Sequence, residues 1–199
     1  MAHSKNANEL KGQSFTAVEL QVVIGCLLGD GTLTQSGKEY RLRVEHKAAH
    51  REYVEWKYRH LGRFCITPPQ FTAQHQSYRF GTVGHSKLTE LRNVFYGGGK
   101  KSIPAGIETY FSPLALAILF MDDGGRIHNT VSFAIHCYSD TDAEIFRGML
   151  RKQGIETTLQ YDGHSSGRRL YIPTSSYATF KKLVNPYVNQ ISCMAYKLP

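Results

Sequence analysis

An α+β fold built from two similar halves, related by a pseudo-two-fold axis, is what this sequence predicts, and three observations predict it. Two apolar stretches, residues 20–29 and 114–121, each run into an Asp-Gly pair, Asp30-Gly31 and Asp123-Gly124. The parts behind each stretch recur at a near-constant offset: Asp30 and Asp123 lie 93 positions apart, and Lys101 and Lys197, near the end of each half, lie 96 apart. The segment VGHSKLTELRNVF (residues 83–95) also parallels IPTSSYATFKKLV (residues 172–184). Two copies are too few to stack into a solenoid, so a facing pair is expected.

Thr16 followed by Glu19 predicts a capping box at the start of the first apolar helix, which Asp30-Gly31 stops. Residues 32–47 read as two short strands, with Leu42, Val44 and His46 alternating against Arg41, Arg43, Glu45 and Lys47. Residues 48–61 read as a helix, 71–83 as two more strands and 87–95 as a short helix. In the second half, Ser112-Pro113 predicts an N-cap with proline in the first turn of an apolar helix. Residues 130–138 alternate Val131, Phe133 and Ile135 with Ser132, Ala134 and His136 and read as a strand. A capped helix over 140–153, strands over 157–161 and 168–172 around a Gly/Ser-rich turn, and a helix over 176–184 complete the half. The expected division is a loosely ordered tail over residues 1–14, a first repeat over 15–105 and a second over 106–199.

With 199 residues, 41% hydrophobic and 20% charged, the chain can bury a substantial core and is not a disordered polyelectrolyte. The formal charge of +8 divides into +6 for residues 1–100 and +2 for the remainder, so both halves are basic and suited to a polyanion such as nucleic acid. The apolar runs are too short to span a bilayer and no signal pattern opens the chain, so a soluble intracellular protein without a membrane partner is expected. Cys26, Cys65, Cys137 and Cys193 form no Cys-x-x-Cys pair and fit reduced thiols. His46, His50 and His60 are spaced as ordinary polar residues of a nucleic-acid surface would be, and zinc is disfavoured.

One Asp-Gly dipeptide is commonly just a turn. Two, each ending an apolar helix, are harder to dismiss. Gly25 and Gly29 in one helix and Ala115 and Ala117 in the other are small enough to let the helices pack side by side, bringing Asp30 and Asp123 together. Two carboxylates at helix C-termini repel unless a cation joins them, and aspartate oxygens suit Mg²⁺. That pair points to phosphodiester chemistry, with Lys101 and Lys197 as candidates to orient water or stabilise charge on phosphorus. Asp122 has Gly29 as its counterpart in the first half, which argues for a secondary, structural or electrostatic role. Strand residues facing away from the core would read DNA in the major groove. The candidates are Arg41, Arg43, Glu45, Lys47, Gln70, Thr72, Gln74, Gln76, Tyr78 and Arg79 in the first half. In the second they are Arg126, His128, Asn129, Ser132, His136, Gln160, Tyr161, Arg168, Arg169 and Tyr171.

The strings VVIGCLLGDGTL and LALAILFMDDGG resemble the paired motifs of the LAGLIDADG homing endonucleases, and the connecting KKSIP and NPYVNQISCMAYKLP resemble the single-chain, two-repeat members. The resemblance implies two αββαββα halves with saddle-shaped antiparallel sheets and a central two-helix interface. It implies a monomer that cuts both strands of a long asymmetric DNA site across the minor groove, leaving short 3′ overhangs. By motif position the acids are Asp30 and Asp123, the preceding Gly29 and Asp122 complete the metal-binding positions, and the supporting bases are Lys101 and Lys197. The implied cofactor is Mg²⁺, with Mn²⁺ or Ca²⁺ able to take its place in binding. Some members of the family bind host intron RNA as maturases, so an RNA partner, or a cleavage-inactive DNA-binding protein, is the alternative. The implied setting is a bacterial cytoplasm or an organelle that houses an intron-bearing genome.

Overall fold

A computed structural model describes residues 2–161 and 167–199, with side chains from residue 7 onward. The Gly/Ser-rich turn expected before Arg168 falls largely on residues 162–166, outside the described residues.

Helices α2 (Ala17–Leu28) and α5 (Pro113–Asp123) form the centre of the molecule. From Val22 in α2 and over Leu114 to Met121 in α5 the helices are apolar on every side, the pattern of a helix surrounded by protein. Val22, Val23, Ile24, Cys26 and Leu27 of α2 and Leu114 to Met121 of α5 are buried. The α2 cap is the expected box: Thr16 accepts from the Glu19 backbone and Glu19 accepts from the Thr16 backbone. Arg63 binds the same Glu19 carboxylate and, with Thr16, holds it down to a pKa of about 2. Ser112 caps α5 through the Ala115 N–H and donates its hydroxyl to Gln21 of α2 (2.9 Å), which pins the two helix starts together. Along the seam Gly25 is indispensable. A Cβ there would lie 2.8 Å from the Ile118 Cβ and 3.0 Å from the Ala115 carbonyl oxygen.

Each central helix opens into a four-stranded antiparallel sheet. The first is β1 (Thr32–Ser36), β2 (Glu39–Lys47), β4 (Ser77–Gly81) and β3 (Gln70–Thr72), in the order β1-β2-β4-β3. The second is β5 (Gly124–Ile127), β6 (Thr130–Ala134), β8 (Arg168–Tyr171) and β7 (Thr158–Tyr161), in the order β5-β6-β8-β7. The shared strand order is the structural form of the sequence repeat. One face of each sheet, carrying Leu33, Leu42, Val44 and Phe80 or Val131, Phe133 and Leu170, is buried, while the other is polar. Helices α3 (Arg51–Leu61), α4 (Ser86–Tyr96), α6 (Asp140–Lys152) and α7 (Thr174–Val188) supply the remaining core, with Trp56, Leu88, Phe146 and Phe180 among its buried side chains.

The structure departs from expectation in five places, one being strand β6, which stops at Ala134 rather than running to residue 138. Residues 1–14, expected to be loosely ordered, contain helix α1 (Ala2–Lys11). The segment is tied to the body by Lys11 to Glu39 (3.1 Å) and by Arg63, which donates to Gln13 Oε1 and the Ser14 carbonyl (both 2.7 Å). Strand β5 was not anticipated, because Gly-Gly-Arg-Ile carries no alternation and two residues of low β propensity; pairing with β6 makes it a strand. The α3 region begins with a 3₁₀ turn over Ala48–His50, so the α-helix starts at Arg51. Helix α7 runs past the expected residue 184, through Pro186, to Val188.

Candidate active site

The C-terminal ends of α2 and α5 meet at the seam, and several of their last carbonyls have identified donors. At the end of α2, Gly29 N–H donates to the Gly25 carbonyl and Gly31 N–H to that of Cys26. The Tyr138 hydroxyl takes the Leu28 carbonyl (3.0 Å) and the Lys101 ammonium takes that of Gly29 (2.5 Å). At the end of α5, Lys197 donates to the carbonyls of Asp122 (3.1 Å) and Gly124 (2.9 Å). Gly29 and Asp122 are counterparts in the duplication, so each lysine holds the same carbonyl of its own repeat. A cation at a helix C-terminus is also favoured by the helix dipole.

Asp30 and Asp123, with Gly29, Lys101, Tyr138 and Cys137, line one cleft of about 420 Å³. Asp30 also borders a second cleft of about 410 Å³, lined by His46, Lys47, His50, Asp122 and Lys197. Glu45, on the polar face of β2, lines this second cleft as well, so that sheet face is continuous with Asp30.

Electrostatics mark the same place. Burial, reinforced by the charges of Asp30 and Asp122, pushes the Asp123 carboxyl up to about 7. Burial and the Asp122 charge raise Asp30 too. Burial lowers Lys101 and Lys197, opposed by the surrounding aspartates. Two carboxylates that resist ionising together, beside backbone carbonyls, the half-buried Lys101 and the buried Lys197, form a hard-oxygen donor set short of positive charge. Those residues fit a divalent cation.

Asp122 is placed differently from a ligand carboxylate. Its side chain is fully buried, with Oδ1 2.8 Å from the Lys57 ammonium and 2.8 Å from the Tyr53 hydroxyl, and Oδ2 accepting from the Asp30 backbone N–H at 3.1 Å. Protein donors occupy both oxygens of this side chain, which agrees with the structural or electrostatic role expected from its mismatch with Gly29, and its backbone carbonyl faces Lys197. Burial raises this carboxyl, but the nearby Lys57 charge wins and holds it below the ordinary aspartate value. One atom each of Asp30, His46 and Asp122 lies within 4.8 Å of the others, a spacing that would suit a metal. The Lys57 ammonium, 3.0 Å from His46 Nε2, already supplies the positive charge there. Burial first, then Lys57, depress His46 to about 3, leaving it neutral. The other two histidines do not join it: His50 stacks with Tyr196 and His60 meets the edge of Trp56.

Strand register sorts the expected DNA-facing residues, because directly paired residues share a face. Arg43 pairs with Thr32, Arg41 with Thr34, Glu45 with Arg79, Arg79 with Gln70, and Lys47 with Ser77, itself paired with Thr72. These lie on the polar face, and Arg41, Arg43, Gln70 and Arg79 line a shared groove there. In the second sheet Ser132 pairs with Tyr171, and Arg169 with both Ala134 and Gln160. Thr32, Thr34 and Thr158 share these faces and were missed, because short polar residues in a strand carry no signal beyond alternation. Gln74 and Gln76 lie in the β3–β4 turn, His128 and Asn129 in the β5–β6 turn, and His136 just beyond β6, all exposed.

Four candidates fall on the helix-facing side instead. Tyr78 pairs with His46 and Phe71 and lies under Arg51; Arg126 pairs with Val131. Tyr161 pairs with Arg168, whose guanidinium binds the Tyr138 carbonyl and Asp140. Alternation had been counted without a fixed register in these short strands, and a one-residue shift exchanges the faces. Lys57 and Tyr53 were missed altogether, since an amphipathic helix gives no sign that one of its lysines is buried.

Comparison with known proteins agrees with this geometry. The chain is 28% identical over 192 residues to the cytochrome b mRNA maturase bI2 of Debaryomyces hansenii, covering 90% of this chain and 72% of that one. It is 26% identical over 211 residues to the DNA endonuclease I-ChuI of Chlamydomonas applanata, covering 93% and 96%. Among solved structures, the homing endonuclease I-WcaI bound to its DNA recognition sequence superposes with a TM-score of 0.81 at 25% identity, covering 96% of this chain and 91% of that one. I-DmoI in complex with DNA and Mn shares the fold at a TM-score of 0.57 and 13% identity, covering 84% and 96%. The model of the LAGLIDADG DNA endonuclease family matches residues 20–180, a span that contains most of α2, all of α5, both sheets and both acids, and the chain belongs to that family.

Proposed function

We propose that this chain is a site-specific double-stranded DNA endonuclease acting as a monomer with divalent cations, Mg²⁺ in the first instance. The observation that carries the reading is the meeting of Asp30 and Asp123 in one cleft at the ends of two buried helices, continuous with a basic polar sheet face. Asp30 and Asp123 hold the cations, and the carbonyls of Gly29 and Asp122 stand beside them. A bound divalent cation supplies positive charge toward the scissile phosphate and makes a nearby water more acidic. Lys101 and Lys197 each bring an Nζ to one side of the seam, where it orients the attacking water or offsets charge on phosphorus. Arg41, Arg43, Arg79 and Arg169 contact phosphates or base edges along the two sheets, and Gln70 and Gln160 add donors and acceptors. One acid and one lysine per repeat match one cut per strand, with short 3′ overhangs as the product.

Incubation with a plasmid library carrying randomised inserts, with and without Mg²⁺, tests the reading. Sequence-specific linearisation that requires the cation is expected; an absence of any linearised species refutes it. The similarity to an mRNA maturase over 90% of this chain supports a second reading, binding of host intron RNA. RNA retained on a filter without DNA cleavage would favour that reading.

A further inference from the structure

The duplication is imperfect where the two helices end. The first half has Gly29, and its counterpart Asp122 sends a carboxylate across the seam into the other repeat. A Cβ on Gly29 would lie 2.4 Å from Asp122 Oδ2, so only glycine leaves room for it. That oxygen accepts the Asp30 N–H. Lys57 binds the other carboxylate oxygen and also reaches His46 Nε2 at 3.0 Å. An ammonium has only protons to offer, so Nε2 accepts and the ring proton sits on Nδ1, which faces Asp30 Oδ2 at 3.7 Å. The buried network thus meets Asp30 at its backbone and at its carboxylate. Across the seam from Asp123 stands Gly29, which has no side chain with which to do the same.

We propose that Asp122, backed by Lys57, is a positioning residue that fixes where Asp30 projects, and that it serves only this one of the two acids. The proposal rests on the reading of Asp30 as a cation-holding acid. Stability does not explain the pair: both side chains are fully buried, and apolar residues of similar volume commonly replace such a pair without loss. What an apolar residue cannot do is accept the Asp30 N–H. Lys57 makes a charged acceptor tolerable at a fully buried site, and Tyr53 completes its hydrogen bonding.

The test compares two charge-neutral double variants by uptake of Mn²⁺ in the absence of DNA and by the ¹H–¹⁵N resonance of the Asp30 amide. Lys57→Met with Asp122→Leu removes the acceptor. Its Asp30 amide moves upfield and Mn²⁺ uptake weakens about 10- to 100-fold, the usual range for a residue that orients a ligand. Lys57→Met with Asp122→Asn keeps an amide oxygen in place and weakens uptake less. Uptake by the leucine variant equal to that of the wild type overturns the proposal, as does an asparagine variant as deficient as Asp30→Asn, which would make Asp122 a direct ligand. Should the leucine variant fail to fold, the wild type still decides: a rapidly exchanging Asp30 amide shows that the hydrogen bond is not held. Wild-type protein that takes up no Mn²⁺ sinks the nuclease reading, an outcome separable from the amide measurement.

Discussion

Asp123 holds its proton up to a pH of about 7, chiefly through burial and then through the charges of Asp30 and Asp122. Its folded pKa lies above the unfolded value, so in cation-free protein it contributes stability below the ordinary carboxylate range, and that contribution is lost as pH rises through about 7. Asp123→Asn should therefore raise the Tm of cation-free protein above neutrality and leave it unchanged at acid pH, as measured by thermal denaturation in chelator. Divalent cations compete with the same proton, so cation uptake and cleavage should both climb with pH across this range; a flat profile from pH 6 to 8 would contradict the assignment. Asp30→Asn or Asp123→Asn should abolish double-strand cleavage while specific DNA binding persists in a gel-shift assay. Lys101→Met and Lys197→Met should each slow one strand by on the order of 10²-fold more than the other, read on end-labelled duplex.

Close packing of the central pair is what brings the acids together at the element scale. Helix α2 could tolerate a larger residue at Gly25 only by moving away from α5, since a Cβ there meets backbone as well as Ile118. Gly25→Val should cost about 1–3 kcal/mol in urea denaturation, the range for overpacking a tight core, despite the low helix propensity of the glycine it replaces. Cleavage should fall more steeply than stability, because separating the helices also separates Asp30 from Asp123. An unchanged rate in a destabilised variant would show that the seam does not set the acid spacing.

Across the whole molecule, a formal charge of +8 and two polar sheet faces make binding to a duplex strongly dependent on salt. Replacing a residue that neutralises one phosphate should reduce the slope of log K against log salt by about 1, while replacing a base-reading residue should relax sequence preference at one position. Arg41→Ala, Arg43→Ala and Arg79→Ala, which share a groove on the first sheet, are the informative set. Tyr78→Phe, on the opposite face, should alter neither slope nor preference.

The sequence by itself determined the duplication, the two apolar helices with their capped starts, and the pair Asp30 and Asp123 with one lysine following in each half. Each of these is written locally, as a run, a cap or a spacing, and needs no knowledge of what packs against it. Only the tertiary structure decided which strand residues share a face, because register in three- to five-residue strands is set by the partner strand; this is why Tyr78 and Arg126 fall on the helix-facing side. It also supplied the partners of Asp122: the mismatch with Gly29 hinted at a structural or electrostatic role, but the acceptor contacts exist only because Gly29, Tyr53 and Lys57, distant in the chain, close around it.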